Sequence, residues 1–391
     1  MTVPKNDKPA SPQVARPPRI ALVHHWLVSP GGAEKVLYEL HQMYPQAPIY
    51  TAAYIPEKFP EFATATVRTT FLDKLPGLKR KHQLFPIFLG LPFKILDMSQ
   101  YDIVISSCAA EAKYVRTGPQ TLHICYCHTP VRYYWTDYEW RLRNLPFGRL
   151  NWLARLVFPL VVGLLRRIDY RGAQGVDRYV ANSKHIQERI KRYYHRDSTL
   201  IYPPVATKTL LNIQRIPQDY YLIVGRQVAS KRLDIAVEAF TRLGLPLKVV
   251  GAGEEIARQQ VLAGPTIEFT GRVSDAERDA LYAGAKALIF PPEEDFGIVP
   301  VEALAAGLPV IAYNAGGAPE YVADGRTGVL FDDQTAVALA DAIGRFESMR
   351  FDPTVLRAAA QAFDTAVFRR RMSAYVDSAW ADFNAQTPNN R

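Results

Sequence analysis

At 391 residues, 48% hydrophobic and 22% charged, the chain can bury two or more domain cores and is not a disordered polymer. Its formal charge of +9 and pI near 9.3 call for an anionic partner, and no helix-turn-helix, zinc-finger or RNA-binding-sheet signature points to nucleic acid. Three cysteines (Cys108, Cys125, Cys127) make no disulfide framework and suit a reducing cytoplasm.

Residues 1–17 are polar and proline-rich, so a disordered tail is expected rather than a signal peptide or membrane anchor. No stretch reaches the roughly 18 uninterrupted apolar residues of a spanning helix. Residues 18–205 form a first series of short apolar runs between helical patterns, with strands expected at 20–24, 49–52, 103–106, 123–126 and 178–181. The first strand runs into HHWLVSPGGAEKVLYEL. Gly31-Gly32 lets backbone approach a ligand, and a helix from about Ala33 offers its N-terminus to a phosphate or sugar, although tight turns use the same dipeptide. No glycine follows three residues beyond Gly32, which argues against a dinucleotide fingerprint.

Cys125 and Cys127 read as buried strand residues, since no matching ligand pair occurs elsewhere. His128 ends that strand. It either faces a cleft, where it can bond a sugar hydroxyl, or packs beside Tyr133, Tyr134 and Trp135. The apolar stretch 156–165, interrupted by Pro159 and Gly163 and edged by Arg149, Arg155, Arg166 and Arg167, fits an interfacial segment on an anionic leaflet or a buried helix. Lys79, Arg80 and Lys81 precede the apolar run 85–93, and Lys184, Arg189, Lys191, Arg192 and Arg196 form a further basic run. Together these segments predict peripheral attachment to an anionic membrane surface, on the cytoplasmic face of the plasma membrane, through the first domain.

Pro203-Pro204 breaks the pattern, and a second series spans 206–364 with strands expected at 221–224, 248–250, 267–269, 287–290, 310–312 and 329–330. After its first strand, Arg226 and Lys231 can grip a diphosphate, or form a solvated basic turn. In PPEEDFGIVPVEALAAG a helix beginning near Gly297 or Ile298 places free N–H groups beside Glu294, with Glu302 about one turn inside. Such a segment can hold phosphate while its carboxylates accept from hydroxyls, as a nucleotide-sugar requires; it could also merely complement the helix dipole. The architecture that follows is α/β, two Rossmann-like doubly wound domains facing across a cleft. No Asp-x-Asp metal clamp, Walker loop or Gly-x-Ser-x-Gly elbow occurs.

From Arg19 to about Phe383 these motifs, with CHTPVRYYW, ANSKHIQERI, VVGAGEE, FTGRVSDAE and DGRTGVLF, resemble retaining glycosyltransferase family 4, of GT-B fold. They look most like the bacterial GDP-mannose-dependent mannosyltransferases of O-antigen and exopolysaccharide assembly. The resemblance implies a catalytic set of His128, Arg226, Lys231 and Glu294. Glu302 would bind the ribose and Glu294 the hexose C3 or C4 hydroxyls. Backbone N–H groups of Phe296, Gly297 and Ile298 would touch sugar and diphosphate. Arg226 and Lys231 would hold the diphosphate, and Gly32 the β-phosphate. His128 would lie near the sugar's C6 hydroxyl. Gly251 is implied as a donor-binding position, and Arg272 and Val273 would lie by the base. Residues 365–391 would form a helix crossing back to the first domain.

No cofactor or metal is implied. The partners are a nucleotide-sugar donor and a polyprenyl-diphosphate-linked saccharide acceptor. UDP-glucose or another donor is the alternative, followed by a nucleotide-sugar epimerase or hydrolase and by a non-catalytic binding protein. One departure stands out: Asp295 replaces a commonly small residue between Glu294 and Phe296, and the sequence offers no account of that charge.

Overall fold

The computed structural model describes residues 16–74, 90–145 and 148–386. Nearly all of the tail at 1–17, the cations Lys79, Arg80 and Lys81, and the start of the apolar run 85–93 lie outside the described residues.

The apolar runs form two parallel sheets. The first contains β1 (Ile20–His24), β2 (Ile49–Thr51), β3 (Val67–Thr69), β4 (Ile103–Cys108), β5 (Leu122–Cys127), β6 (Arg178–Ala181) and β7 (Thr199–Leu200), in the order β3-β2-β1-β4-β5-β6-β7. The second contains β8 (Tyr221–Val224), β9 (Leu247–Val250), β10 (Ile267–Gly271), β11 (Leu288–Phe290), β12 (Val310–Tyr313) and β13 (Gly328–Phe331), in the order β10-β9-β8-β11-β12-β13. Central strands such as β4 and β5 are buried along their whole length, as strands covered on both faces must be. The edge strands β3 and β7 were absent from the sequence expectation. They are only three and two residues long and largely uncovered, so no apolar run marks them.

Strand order reverses beside β1 in one sheet and beside β8 in the other, and open α/β sheets bind ligands outside the carboxyl ends of the strands at such points. The helices that follow are α1 (Gly32–Met43) after β1, α2 (Asn151–Gln174), α3 (Lys184–Tyr194), α4 (Leu233–Leu243) after β8, and α5 (Ile298–Ala305) after β11. The chain passes between the domains twice, and the passages are stapled together. Val205 N–H donates to Phe363 O at 3.0 Å and Thr365 N–H to Val205 O at 3.1 Å. Helix α6 (Thr365–Gln386) then returns to the first domain, where Phe368, Met372 and Val376 join a core with Leu22 and Val36. This is the two-domain GT-B arrangement.

Helix α2 runs unbroken through Pro159 and Gly163, because its later turns are held by tertiary contacts rather than by propensity. Val162, Leu165 and Ala173 are buried, and the fully buried Asp169 accepts from Tyr114 Oη at 2.6 Å, Trp135 Nε1 at 2.7 Å and Tyr194 Oη at 2.9 Å while pairing with Lys113 Nζ at 2.7 Å. Its first half instead carries exposed apolar residues, with Trp152 65%, Leu156 65% and Leu160 76% exposed. Helix α2 is therefore neither wholly interfacial nor wholly core. The basic run is divided: Arg189 faces the second domain and Arg196 donates to the carbonyls of Gln174 and Asp177, while Lys184, Lys191 and Arg192 are exposed, Lys191 beside Asp197 at 2.6 Å. Among the described residues, no helix is long and apolar enough to cross a membrane.

Candidate active site

The loops at both reversal points open into one interdomain cleft of about 740 Å³, within the size range of small-molecule sites. Gly31 is the N-cap of α1 and Gly297 that of α5, and both helix N-termini reach the cleft. Gly297 has φ +89, and a Cβ there would lie 2.6 Å from Tyr321 Oη and 2.9 Å from Phe290 Cζ, so the turn into α5 requires glycine. A Cβ on Gly32 would come 3.1 Å from Ile298 Cδ1, which places the two N-termini face to face. Each presents backbone N–H groups and the positive end of a helix dipole to an anion.

Charged side chains complete the walls. Arg226 and Lys231 come from the β8–α4 loop, Arg272 from the loop after β10, and Glu294 from the turn before α5. Lys231 Nζ contacts the Glu294 carboxylate. Burial, then Arg226 and Arg132, pushes the Lys231 ammonium down to about 8, with Asp295 acting in the opposite direction. With 32% of its side chain exposed, Lys231 is still open to a ligand. Glu302 is held from both domains: Lys35 Nζ on α1 lies 3.2 Å from Oε1 and Tyr282 Oη donates to Oε2 at 3.4 Å. The Glu294 turn is fixed from behind, where Tyr321 Oη donates to Phe296 O at 2.7 Å and Gly317 N–H to Glu294 O at 2.8 Å.

The structure brings Gly31, Gly32, His128, Arg226, Lys231, Gly251, Arg272, Glu294, Phe296, Gly297, Ile298 and Glu302 into this one lining. Val273 is the exception: it is outside the lining and half-buried against the second domain's core, because the turn carrying Arg272 outward rolls the next side chain inward. His128 lines the cleft while 8% exposed, and its ring packs on Tyr126, centroids 5.2 Å apart. Asn182 Nδ2 donates to its carbonyl at 3.0 Å.

Lys35 and Arg132 also line the cleft and were not singled out, although both stand inside the GGAEKVL and CHTPVRYYW motifs; cations next to a glycine pair or a strand-end histidine were the available signal. The structure also accounts for Asp295. Its carboxylate accepts from Arg189 Nη1 at 2.6 Å, and Glu293 accepts from Arg189 Nη2 at 3.1 Å, so the acidic turn is tied to α3 across the domain boundary. Glu320 adds to that contact by accepting from the N–H of Lys184 at 2.8 Å, at the start of α3.

Among the described residues, His24, His25 and Glu34 bring one potential metal-ligand atom each within 4.8 Å of one another. Both ring nitrogens of His24 are already hydrogen-bonded, to Glu34 and Ser107, and a cation there would have to displace those bonds. A smaller cavity of about 320 Å³ beside Arg215 and Arg357 lies in the second domain, where both arginines donate to backbone carbonyls. The convergent polar groups are in the interdomain cleft.

Residues 30–209 match the family described as Glycosyltransferase Family 4, and residues 212–363 the family described as Glycosyl transferases group 1. A GDP-mannose-dependent alpha-(1-6)-phosphatidylinositol monomannoside mannosyltransferase of Mycobacterium tuberculosis is 33% identical over 164 residues, covering 37% of this chain and 43% of that protein. A D-rhamnosyltransferase of Pseudomonas aeruginosa is 28% identical over 203 residues, covering 47% of this chain and 53% of that protein. The chain thus spans about half the length of the curated relatives it matches. Anabaena HepE, solved in complex with UDP, superposes with a TM-score of 0.67 at 19% identity, covering 92% of this chain and 100% of its own. Sucrose-phosphate synthase from Thermosynechococcus elongatus gives 0.66 at 19% identity, covering 93% and 100%. At that identity the likeness is one of fold.

Proposed function

The chain belongs to glycosyltransferase family 4, and from that membership we propose that it is a retaining hexosyltransferase moving mannose from GDP-mannose to a polyprenyl-diphosphate-linked saccharide. The observation that carries this reading is the convergence of two helix N-termini, the Arg226–Lys231 pair and the carboxylates Glu294 and Glu302 on one cleft. A diphosphate fits the N–H groups and cations, and the hydroxyls of hexose and ribose fit the carboxylates. The mycobacterial relative named for GDP-mannose supports that donor, whereas HepE, solved with UDP, keeps UDP-glucose as the alternative. Arg226 and Lys231 supply fixed positive charge for the leaving group, which supports metal-independent transfer. Front-face displacement follows, with a diphosphate oxygen of the leaving group taking the acceptor's proton and the protein contributing position and charge.

Thermal shift tests the donor. A ligand at 100 times its dissociation constant stabilises by about 2.7 kcal/mol, so GDP and GDP-mannose are expected to raise the midpoint more than UDP and UDP-glucose do. The reverse order would remove GDP-mannose from the reading.

The state of Lys231 adds a pH dependence. Its folded pKa lies near 8, below the ordinary 10.5, so the ammonium is present below pH 8 and is lost as the pH rises through that value. Calorimetric GDP affinity is expected to fall above about pH 8, by up to about tenfold per unit, and to stay level in Lys231→Arg. A fall of equal size in both proteins would assign the titration to another group.

Peripheral membrane attachment belongs to the same proposal. The exposed apolar face of α2 and the exposed Arg149, Arg155, Arg167 and Arg171 form an amphipathic surface on the first domain, where a lipid-linked acceptor would arrive. Anionic lipid contributes about 1 kcal/mol per surface cation before screening. Co-sedimentation with anionic but not neutral vesicles is expected, and roughly 0.5 M salt weakens it. Leu156→Glu with Leu160→Glu is expected to abolish binding without lowering the thermal midpoint, because both side chains are exposed. Binding equal to wild type in that variant would locate the lipid contact elsewhere.

A further inference from the structure

Behind His128, three buried side chains form a continuous hydrogen-bonded row. Glu34 Oε1 lies 3.4 Å from His24 Nε2, His24 Nδ1 lies 3.2 Å from Ser107 Oγ, and Ser107 Oγ lies 2.8 Å from His128 Nε2. The row crosses the central strands: His24 ends β1, Ser107 stands beside it in register on β4, and His128 follows β5. Glu34 comes from the first turn of α1, directly behind the Gly31-Gly32 turn. His24 and Ser107 are fully buried, and Glu34 and His128 are each 8% exposed, so solvent does not compete for these bonds. Only His128 of the four lines the cleft.

The donor–acceptor inventory orders this row. A carboxylate has lone pairs and no proton, so Glu34 accepts and His24 Nε2 must donate. A charged His24 would donate from Nδ1 and reverse the rest of the row, whereas with a neutral His24 its one N–H is spent on Glu34 and its Nδ1 accepts from the Ser107 hydroxyl. The Ser107 oxygen then accepts from His128 Nε2–H. His128 is left with a lone pair on Nδ1.

We propose that Glu34, His24 and Ser107 are positioning residues that fix His128 as its Nε2–H tautomer, so that it meets the transferred sugar as a hydrogen-bond acceptor for a hydroxyl. The sugar half of this statement rests on the transferase reading above; the tautomer does not. Burial pushes the His128 pKa down to about 3, which keeps the ring neutral at working pH. A charged ring would donate from both nitrogens and offer a hydroxyl no acceptor.

Long-range ¹⁵N correlation spectra of the full-length, histidine-labelled protein test the proposal, with His128→Gln used to assign the His128 signals. In the wild type His128 is expected to be protonated at Nε2 and unprotonated at Nδ1. Ser107→Ala is expected to mix the tautomers, and Ser107→Thr, which keeps the hydroxyl, to restore one. In Ser107→Ala, kcat/KM for donor consumption is expected to fall roughly tenfold, the size of one lost hydrogen bond, with GDP affinity unchanged. Protonation at Nδ1 in the wild type would overturn the proposal, and this needs no variant to fold. An unchanged tautomer in Ser107→Ala would overturn it as well. The expected tautomers with no transfer to any acceptor would confirm the row while removing the transferase reading.

Discussion

Replacing Lys231 by Ala is expected to lower kcat by about two to three powers of ten, the size of losing one preorganised charge-stabilising group. In the proposed transfer, negative charge accumulates on the departing diphosphate as its bond to the anomeric carbon breaks. Lys231 and Arg226 line the cleft on the β8–α4 loop together with the N-termini of α1 and α5, and under that proposal they would need little reorganisation to receive the charge. Arg226→Ala is expected to show a loss of similar order. Initial rates at saturating donor measure both effects, and full activity in either variant would remove the diphosphate clamp. The contact between Lys231 and Glu294 calls for a control, because Lys231→Ala also releases that carboxylate. Glu294→Gln is expected to impair sugar transfer while leaving GDP affinity close to wild type, whereas Lys231→Ala weakens both.

The largest effect on stability is expected at Asp169. Its side chain is wholly buried, and Lys113, 2% exposed, has it as an ion-pair partner at 2.7 Å. Burial alone would push the Lys113 ammonium down, yet Asp169 leads the opposing interactions and holds it above the ordinary lysine range. Asp169→Ala leaves that cation buried without its partner and strips Tyr114, Trp135 and Tyr194 of their acceptor. Breaking such a pair from one side costs about 3–5 kcal/mol, which corresponds to a fall of order 10 °C in the midpoint. A raised lysine pKa contributes stability that is complete below the unfolded value, so Lys113 itself adds no pH dependence between about pH 6 and 9. Glu111, pushed up to about 7 by burial and also by Asp169, loses that repulsion in the variant, and the deficit is expected to narrow as the pH rises through about 7. Thermal denaturation of Asp169→Ala and Asp169→Asn checks this. A loss below about 1 kcal/mol would show that the anchor of α2 lies elsewhere.

Much of the cleft's lining was legible in the sequence because its parts are local. A glycine pair before a helix, a cation pair after a strand, and two carboxylates eight residues apart each carry their geometry in short-range spacing. What escaped was set by folding across distance. Lys35 reaches Glu302 from 267 positions away, Arg189 reaches Asp295 from 106, and His24 reaches Ser107 from 83. Asp295 illustrates the consequence. Read locally, it was an unexplained charge among sugar-binding groups; in three dimensions it is half of an interdomain ion pair. The basic run around Arg189 shows the same limit, since a row of cations does not reveal that Arg189 is paired across the domain boundary while Lys184 and Arg192 are exposed. Helix α2 resisted assignment because its two halves lie in different environments, a difference that composition averages away.

The most direct measurement supplies GDP-mannose and a polyprenyl-diphosphate-linked saccharide to the full-length protein in excess EDTA and determines the anomeric configuration of the product by NMR. The account predicts a mannosylated lipid whose new bond is α, like that of the donor, formed at the same rate with or without EDTA. A β-linked product, strict dependence on added metal, or donor consumption that proceeds equally well without acceptor would contradict it.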